Sequence, residues 1–112
     1  MKIDIRAKGF ELTDGLRAHA ERRLAFALDW TGHGVRKVFL SFSDINGPRG
    51  GNDKRCTLRI PLPRTRDVII EDTAPNLQQA LDRAVDRASR TLERRLSRQR
   101  EFGHALPISM EA

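Results

Sequence analysis

Cysteine is almost missing from this chain. Cys56 stands alone, which excludes an internal disulfide and any multi-cysteine zinc site. Long apolar runs are missing too: nothing approaches the roughly 18 to 20 residues that a membrane span requires, so no membrane partner is expected. The opening MKIDIRAKGF alternates polar and apolar residues and has no apolar signal core, which points to the cytoplasm. Catalytic groupings are equally scarce. His19, His33 and His104 have no acid or cysteine at ligand spacing, no serine sits in a nucleophile elbow, and no carboxylate pair is set apart. Cys56 shares parity with Leu58 and Ile60, so it reads as a buried structural thiol. Trp30 ends a helix at the edge of its apolar face and reads as packing. The expectation is a protein that is not an enzyme, with no cofactor, metal or small-molecule substrate.

What the sequence has in excess is arginine. Lysine and arginine number 21 against 15 acids, and 17 of the 21 are arginine. The guanidinium offers a planar fork of donors that fits phosphate, whereas lysine is a strongly hydrated point charge. With 112 residues, 38% hydrophobic and 32% charged, the chain forms one soluble domain that leans toward nucleic acid.

Hydrophobic spacing orders the elements. Lys2 to Lys8 alternates with Ile3 and Ile5 on one face, as a strand does. Thr13 is placed as a helix N-cap, and Leu16, Ala20, Leu24, Ala27 and Leu28 follow at helical spacing to about Trp30. Thr31-Gly32-His33-Gly34 stops that helix. Val35 to Ser43 returns to period two through Val38, Leu40 and Phe42. Cys56, Leu58 and Ile60 mark a third strand, closed by Pro61 and Pro63. A fourth runs from Arg66 to Asp72. Asp72 or Thr73 would then cap a second helix from about Ala74 to Arg100, with Leu77, Leu81, Ala84, Val85, Ala88, Leu92 and Leu96 as its apolar stripe. The expected fold is α+β, in the order β-α-β-β-β-α: a four-stranded sheet with both helices on one face. Residues 1–100 form the domain, and 101–112, which lose the periodicity, are expected to be a flexible tail.

On the second helix, Arg83, Arg87, Arg90, Arg94 and Arg98 fall within a sector of roughly 80° at 100° per residue. Asp82, Asp86 and Glu93 occupy a separate strip. Like charges at this spacing oppose helix formation by roughly 0.2 to 0.5 kcal/mol per pair. A merely solvated face would interleave the acids with the arginines; the separation builds a ladder suited to a sugar-phosphate backbone. The first helix adds Arg17, Arg22 and Arg23.

The stretch SDINGPRGGNDKRC, 43–56, invites readings as a phosphate cradle or a metal loop. After Gly47 a Walker-type loop requires glycine where Asn52 stands. A calcium loop beginning at Asp44 meets Pro48 at a ligand position and Arg49 where glycine belongs. What is left is a long hairpin connection with Arg49, Lys54 and Arg55 as cationic tips for RNA.

LTDGLRAHAERRLAFALDW resembles the first helix of the bacterial ribosome hibernation factors, also called ribosome-associated inhibitors or the sigma-54 modulation family, through Leu12, Thr13, Leu16, Arg17, His19, Arg23, Leu24, Ala25 and Trp30. ALDRAVDRASRTLERRL is similar to their second helix, and DINGPRGGNDKRC to the strand-connecting loop of one subgroup. The resemblance covers about residues 1–100. It implies a double-stranded-RNA-binding-like fold with an extra leading strand. It also implies binding at the decoding region of the small ribosomal subunit, where messenger and transfer RNA sit, and silencing of translation in stationary phase or stress without catalysis. The partners so implied are the small subunit and its ribosomal RNA, with the free protein a monomer. Arg23, Arg87, Arg90 and Arg94 carry over as contacts to RNA phosphate. Arg22, Arg83, Arg49, Lys54 and Arg55 join them on charge geometry. The chain departs from long members, which append a ribosome-pairing domain, and from short members with an acid-ended tail.

Two other readings compete. A free double-stranded RNA binder would typically carry a lysine cluster where the last helix starts, but Ala74-Pro75-Asn76-Leu77-Gln78-Gln79 holds no cation. A protein-interaction module, regulating transcription, would use the open sheet face, with Phe39 and Ile69 among Lys37, Arg59 and Glu71.

Overall fold

The computed structural model describes residues 1–31, 34–45 and 53–111, with side chains as far as residue 97. Its elements are β1 (Lys2–Lys8), α1 (Asp14–Leu28), a single 3-10 turn (Asp29–Thr31), β2 (Lys37–Asp44), β3 (Lys54–Ile60), β4 (Val68–Ala74) and α2 (Leu77–Glu111). The order matches the one expected from spacing.

The strands form one sheet in the order β1-β2-β3-β4. The first pair is parallel, Ile5 opposite Leu40, because α1 carries the chain back across the sheet. The other two pairs are antiparallel, with Phe42 opposite Cys56 and Leu58 opposite Ile70. Strand alternation aims Ile5, Val38, Leu40, Phe42, Cys56, Leu58, Ile60, Val68 and Ile70 at one face, where all are buried. Ala20, Leu24 and Leu28 of α1 and Ala80, Leu81, Ala84, Val85, Ala88 and Leu92 of α2 close over them. Both helices therefore cover one face of the sheet. The other face carries Lys37, Arg59 and Ile69.

The helix starts differ in how well spacing located them. The Thr13 hydroxyl accepts from the Leu16 amide at 3.1 Å, the N-cap expected. For α2 the cap is Asn76, not Asp72 or Thr73: its Oδ1 accepts from the Gln79 amide at 2.8 Å, and its carbonyl from Ala80 at 3.1 Å. Asp72, Thr73 and Ala74 are held in β4 by pairing with Cys56, Arg55 and Lys54, so the helix starts three residues later than expected, at Leu77. At its far end α2 continues to Glu111 through the segment read as a tail, since extending an existing helix is far easier than starting one. Trp30, read as packing, stands 46% exposed in the 3-10 turn.

Candidate nucleic-acid interface

The arginine ladder of α2 exists, and its members differ in what they touch. Arg83 and Arg87 lean toward β4. Arg83 Nη1 donates to the Thr73 carbonyl at 3.0 Å. Arg87 Nη1 donates to the Glu71 carbonyl at 2.9 Å and to Asp72 Oδ2 at 3.0 Å. Arg90 and Arg94 are exposed and have no hydrogen-bond or ion-pair partner among the described residues. Arg98 has no described side chain.

Two of the three acids in the strip, Asp82 and Asp86, face α1. Arg23 Nε meets Asp82 Oδ1 at 3.2 Å and Arg23 Nη2 meets Asp86 Oδ1 at 3.1 Å, so one guanidinium bridges two carboxylates one helical turn apart. For Asp82 and Asp86 the segregation from the arginines thus has a packing cause beside any binding one: they are where the α1–α2 joint needs them. Arg23 is consequently half-buried, whereas Arg22 beside it is exposed. Side chains of both helices line the groove above this joint: His19, Arg22, Arg23 and Phe26 from α1, and Asp86, Ser89 and Arg90 from α2. The Nε2 of His19 is shielded from solvent and has no hydrogen-bond partner among the described residues.

Two of the three hairpin cations, Lys54 and Arg55, are not projecting tips. Lys54 Nζ lies 3.0 Å from Asp44 Oδ2 and 3.3 Å from Asp53 Oδ2. Its pKa is raised above the ordinary value, first by the hydrogen bond to Asp44, with desolvation opposing and Asp53 adding. Asp53 is buried, and its carbonyl accepts from the Ile45 amide at 2.9 Å, which closes the hairpin base. Arg55 Nε stands 3.6 Å from Glu71 Oε1 on the open sheet face, within ion-pair range but without a hydrogen bond. Arg49 and the rest of 46–52 lie outside the described residues. Of the nine residues expected to meet RNA, Arg22, Arg90 and Arg94 combine exposure with no protein partner among the described residues.

Two features escaped the sequence reading. Arg95 Nη1 donates to the Arg66 carbonyl at 2.7 Å, tying the middle of α2 to the loop before β4. Phe26 is 85% exposed. Its signal was present: it stands opposite the Ala20-Leu24-Leu28 stripe, one turn beyond Arg22. On the open sheet face, Phe39 lies under the Arg59 guanidinium, 4.0 Å from the ring centroid, with Lys37 at 4.7 Å.

Other chemistry has little support in this geometry. Burial, and then the Asp72 carboxylate, pushes the Cys56 thiol up to about 12, which keeps it protonated at neutral pH. Among the described residues no three His, Cys, Asp or Glu side chains cluster in a way that could hold a metal ion. No described helix is long and apolar enough to cross a membrane.

The model of the Sigma 54 modulation protein / S30EA ribosomal protein family matches residues 3–100. Among solved structures, the chain is similar to the N-terminal domain of Protein Y from Thermus thermophilus. The two share 27% identity and a TM-score of 0.70, over 84% of this chain and 98% of that one. It also shares the fold of a ribosomal subunit interface protein from Coxiella burnetii, at 16% identity and a TM-score of 0.72, over 87% of this chain and 99% of that one. No curated protein matches the chain by sequence.

Proposed function

The chain belongs to the Sigma 54 modulation protein / S30EA ribosomal protein family, a family of ribosome-associated proteins, and from that premise we propose that it is a hibernation factor. In this reading it occupies the decoding region of the small ribosomal subunit, meets ribosomal RNA through Arg22, Arg90 and Arg94, and represses translation in stationary phase or stress. The mechanism is occupancy: a folded basic domain fills the path of messenger and transfer RNA, with no bond made or broken. The observation that carries the reading is the pair Arg90 and Arg94. Two exposed guanidinium groups one turn apart, with no described carboxylate or carbonyl to satisfy them, are organised to receive phosphate.

The open sheet face offers less to a protein-interaction reading than its composition promised. Phe39 is covered by Lys37 and Arg59, which leaves Ile69, 65% exposed, as the large apolar side chain there.

Sucrose-gradient profiles of stationary-phase cells, with the protein followed by antibody, test the proposal. The protein should travel with small subunits or ribosomes, and the double substitution Arg90→Glu, Arg94→Glu should release it into the soluble fractions. Co-migration of the double variant at wild-type level would defeat the reading.

A further inference from the structure

Phe26 is a large apolar side chain held in water, and a phosphate-binding arginine ladder gives no reason for it. Its surroundings do. On its own helix, Arg22 lies one turn before it and Arg23 three residues before; across the groove stand Asp86, Ser89 and Arg90. Arg23 is spent on Asp82 and Asp86, at 3.2 and 3.1 Å, so the positive charge left around the ring is that of Arg22 and Arg90. Among the described residues lining the groove, Ala27 is the one other apolar residue, which offers an apolar peptide a single small anchor beside the ring. One exposed aromatic ring in a basic frame matches an unpaired nucleotide, which has a flat apolar face and anionic phosphates on either side.

We propose that Phe26 is a stacking platform for one unpaired base of RNA, with the neighbouring phosphates held by Arg22 on α1 and Arg90 on α2. The proposal rests on the functional reading above and adds to it a base contact beside the phosphate contacts. A base on the ring would fill the groove mouth, and the two arginines would bracket the strand from opposite helices. Binding would then favour RNA with a flipped or looped base over a plain duplex, whose bases are already stacked.

Phe26→Ala tests this directly, because an exposed side chain can be shortened without disturbing the core. Affinity for purified small subunits should fall about 5- to 150-fold, the range for loss of one base–aromatic stack. The salt dependence should keep its wild-type slope, since no charge is removed. Phe26→Trp should restore binding. Placed in a Trp30→Phe background, that indole should be quenched when small subunits are added. Wild-type affinity in Phe26→Ala, with Arg90→Glu, Arg94→Glu still defective, would overturn the stacking platform and leave the functional reading standing. Loss of affinity for intact subunits but not for protein-free small-subunit RNA would also overturn it, since Phe26 would then be touching a ribosomal protein. Failure of the wild-type protein to bind either would overturn both.

Discussion

Two alanine variants on one helix should fail in opposite ways. Arg87 makes two hydrogen bonds back to β4, one of them to the carboxylate of Asp72, which is only 19% exposed. Such bonds contribute roughly 1.5 to 3 kcal/mol each when shielded; with the Arg87 side chain 48% exposed, a total near 1 kcal/mol is the reasonable expectation. For a domain of this size that lowers Tm by about 4 to 6 °C. Arg90 and Arg94 have no such bonds to lose. Replacing both with alanine removes like-charge repulsion worth roughly 0.2 to 0.5 kcal/mol per pair and leaves stability level or slightly higher. Binding should reverse the order. Loss of two phosphate contacts should flatten the plot of log affinity against log salt by about 1.4 to 1.8, at roughly 0.7 to 0.9 per contact. Thermal melts of the free proteins and small-subunit binding at several salt concentrations supply both numbers. An equal drop in Tm for the two variants, or an unchanged salt slope for Arg90→Ala, Arg94→Ala, would refute the division of the ladder into packed and free halves.

Further tests concern the joint, the thiol and the core. Arg23→Ala should cost about 1 kcal/mol, given two partly exposed ion pairs, and Arg23→Lys should recover only part of it, since an ammonium cannot fork to Asp82 and Asp86; chemical denaturation reads both. The Cys56 thiol titrates near 12 in the folded protein against an ordinary 9.0, so the unfolded chain loses its proton first. Stability should therefore hold below pH 9 and fall by up to about 1.4 kcal/mol per pH unit above it, a slope that Cys56→Ala should flatten. Lys54 adds a loss of the same sign only as pH rises above its ordinary 10.5. Leu92→Ala, at a fully buried position, should cost about 3 kcal/mol, and Thr13→Ala about 1 kcal/mol with recovery in Thr13→Ser, both measured by urea titration.

The strands were legible because a half-buried strand writes its burial in period two, as Val38, Leu40 and Phe42 do. The start of α2 was harder. Asp72, Thr73 and Asn76 can all cap a helix, and the choice among them depends on how far β4 stays paired with β3, a contact between segments distant in sequence. The arginine ladder was legible as an angular sector. What that angle could not reveal is whether a carbonyl waits within reach of each guanidinium, and this is what separates Arg83 and Arg87 from Arg90 and Arg94. Lys54 and Arg55 looked like free cations for the same reason: Asp44 is ten residues from Lys54, and Glu71 reaches Arg55 from the neighbouring strand. Phe26 was harder to read because a single apolar residue on a charged helix face is ordinary; a helical projection of α1 puts it beside Arg22, away from the buried stripe.

β4 is the last strand of its sheet, and one side of it has no paired strand among the described residues. An outer strand with bare carbonyls invites another chain to add itself by backbone pairing. Here the carbonyls of Thr73 and Glu71 are occupied by Arg83 and Arg87, and that of Arg66, just ahead of the strand, by Arg95. Side chains of α2 thus act as a guard rail along the sheet's open border, charged and unable to propagate a ladder. Stripping this rail with Arg83→Ala, Arg87→Ala and Arg95→Ala together would expose a template for edge-to-edge association.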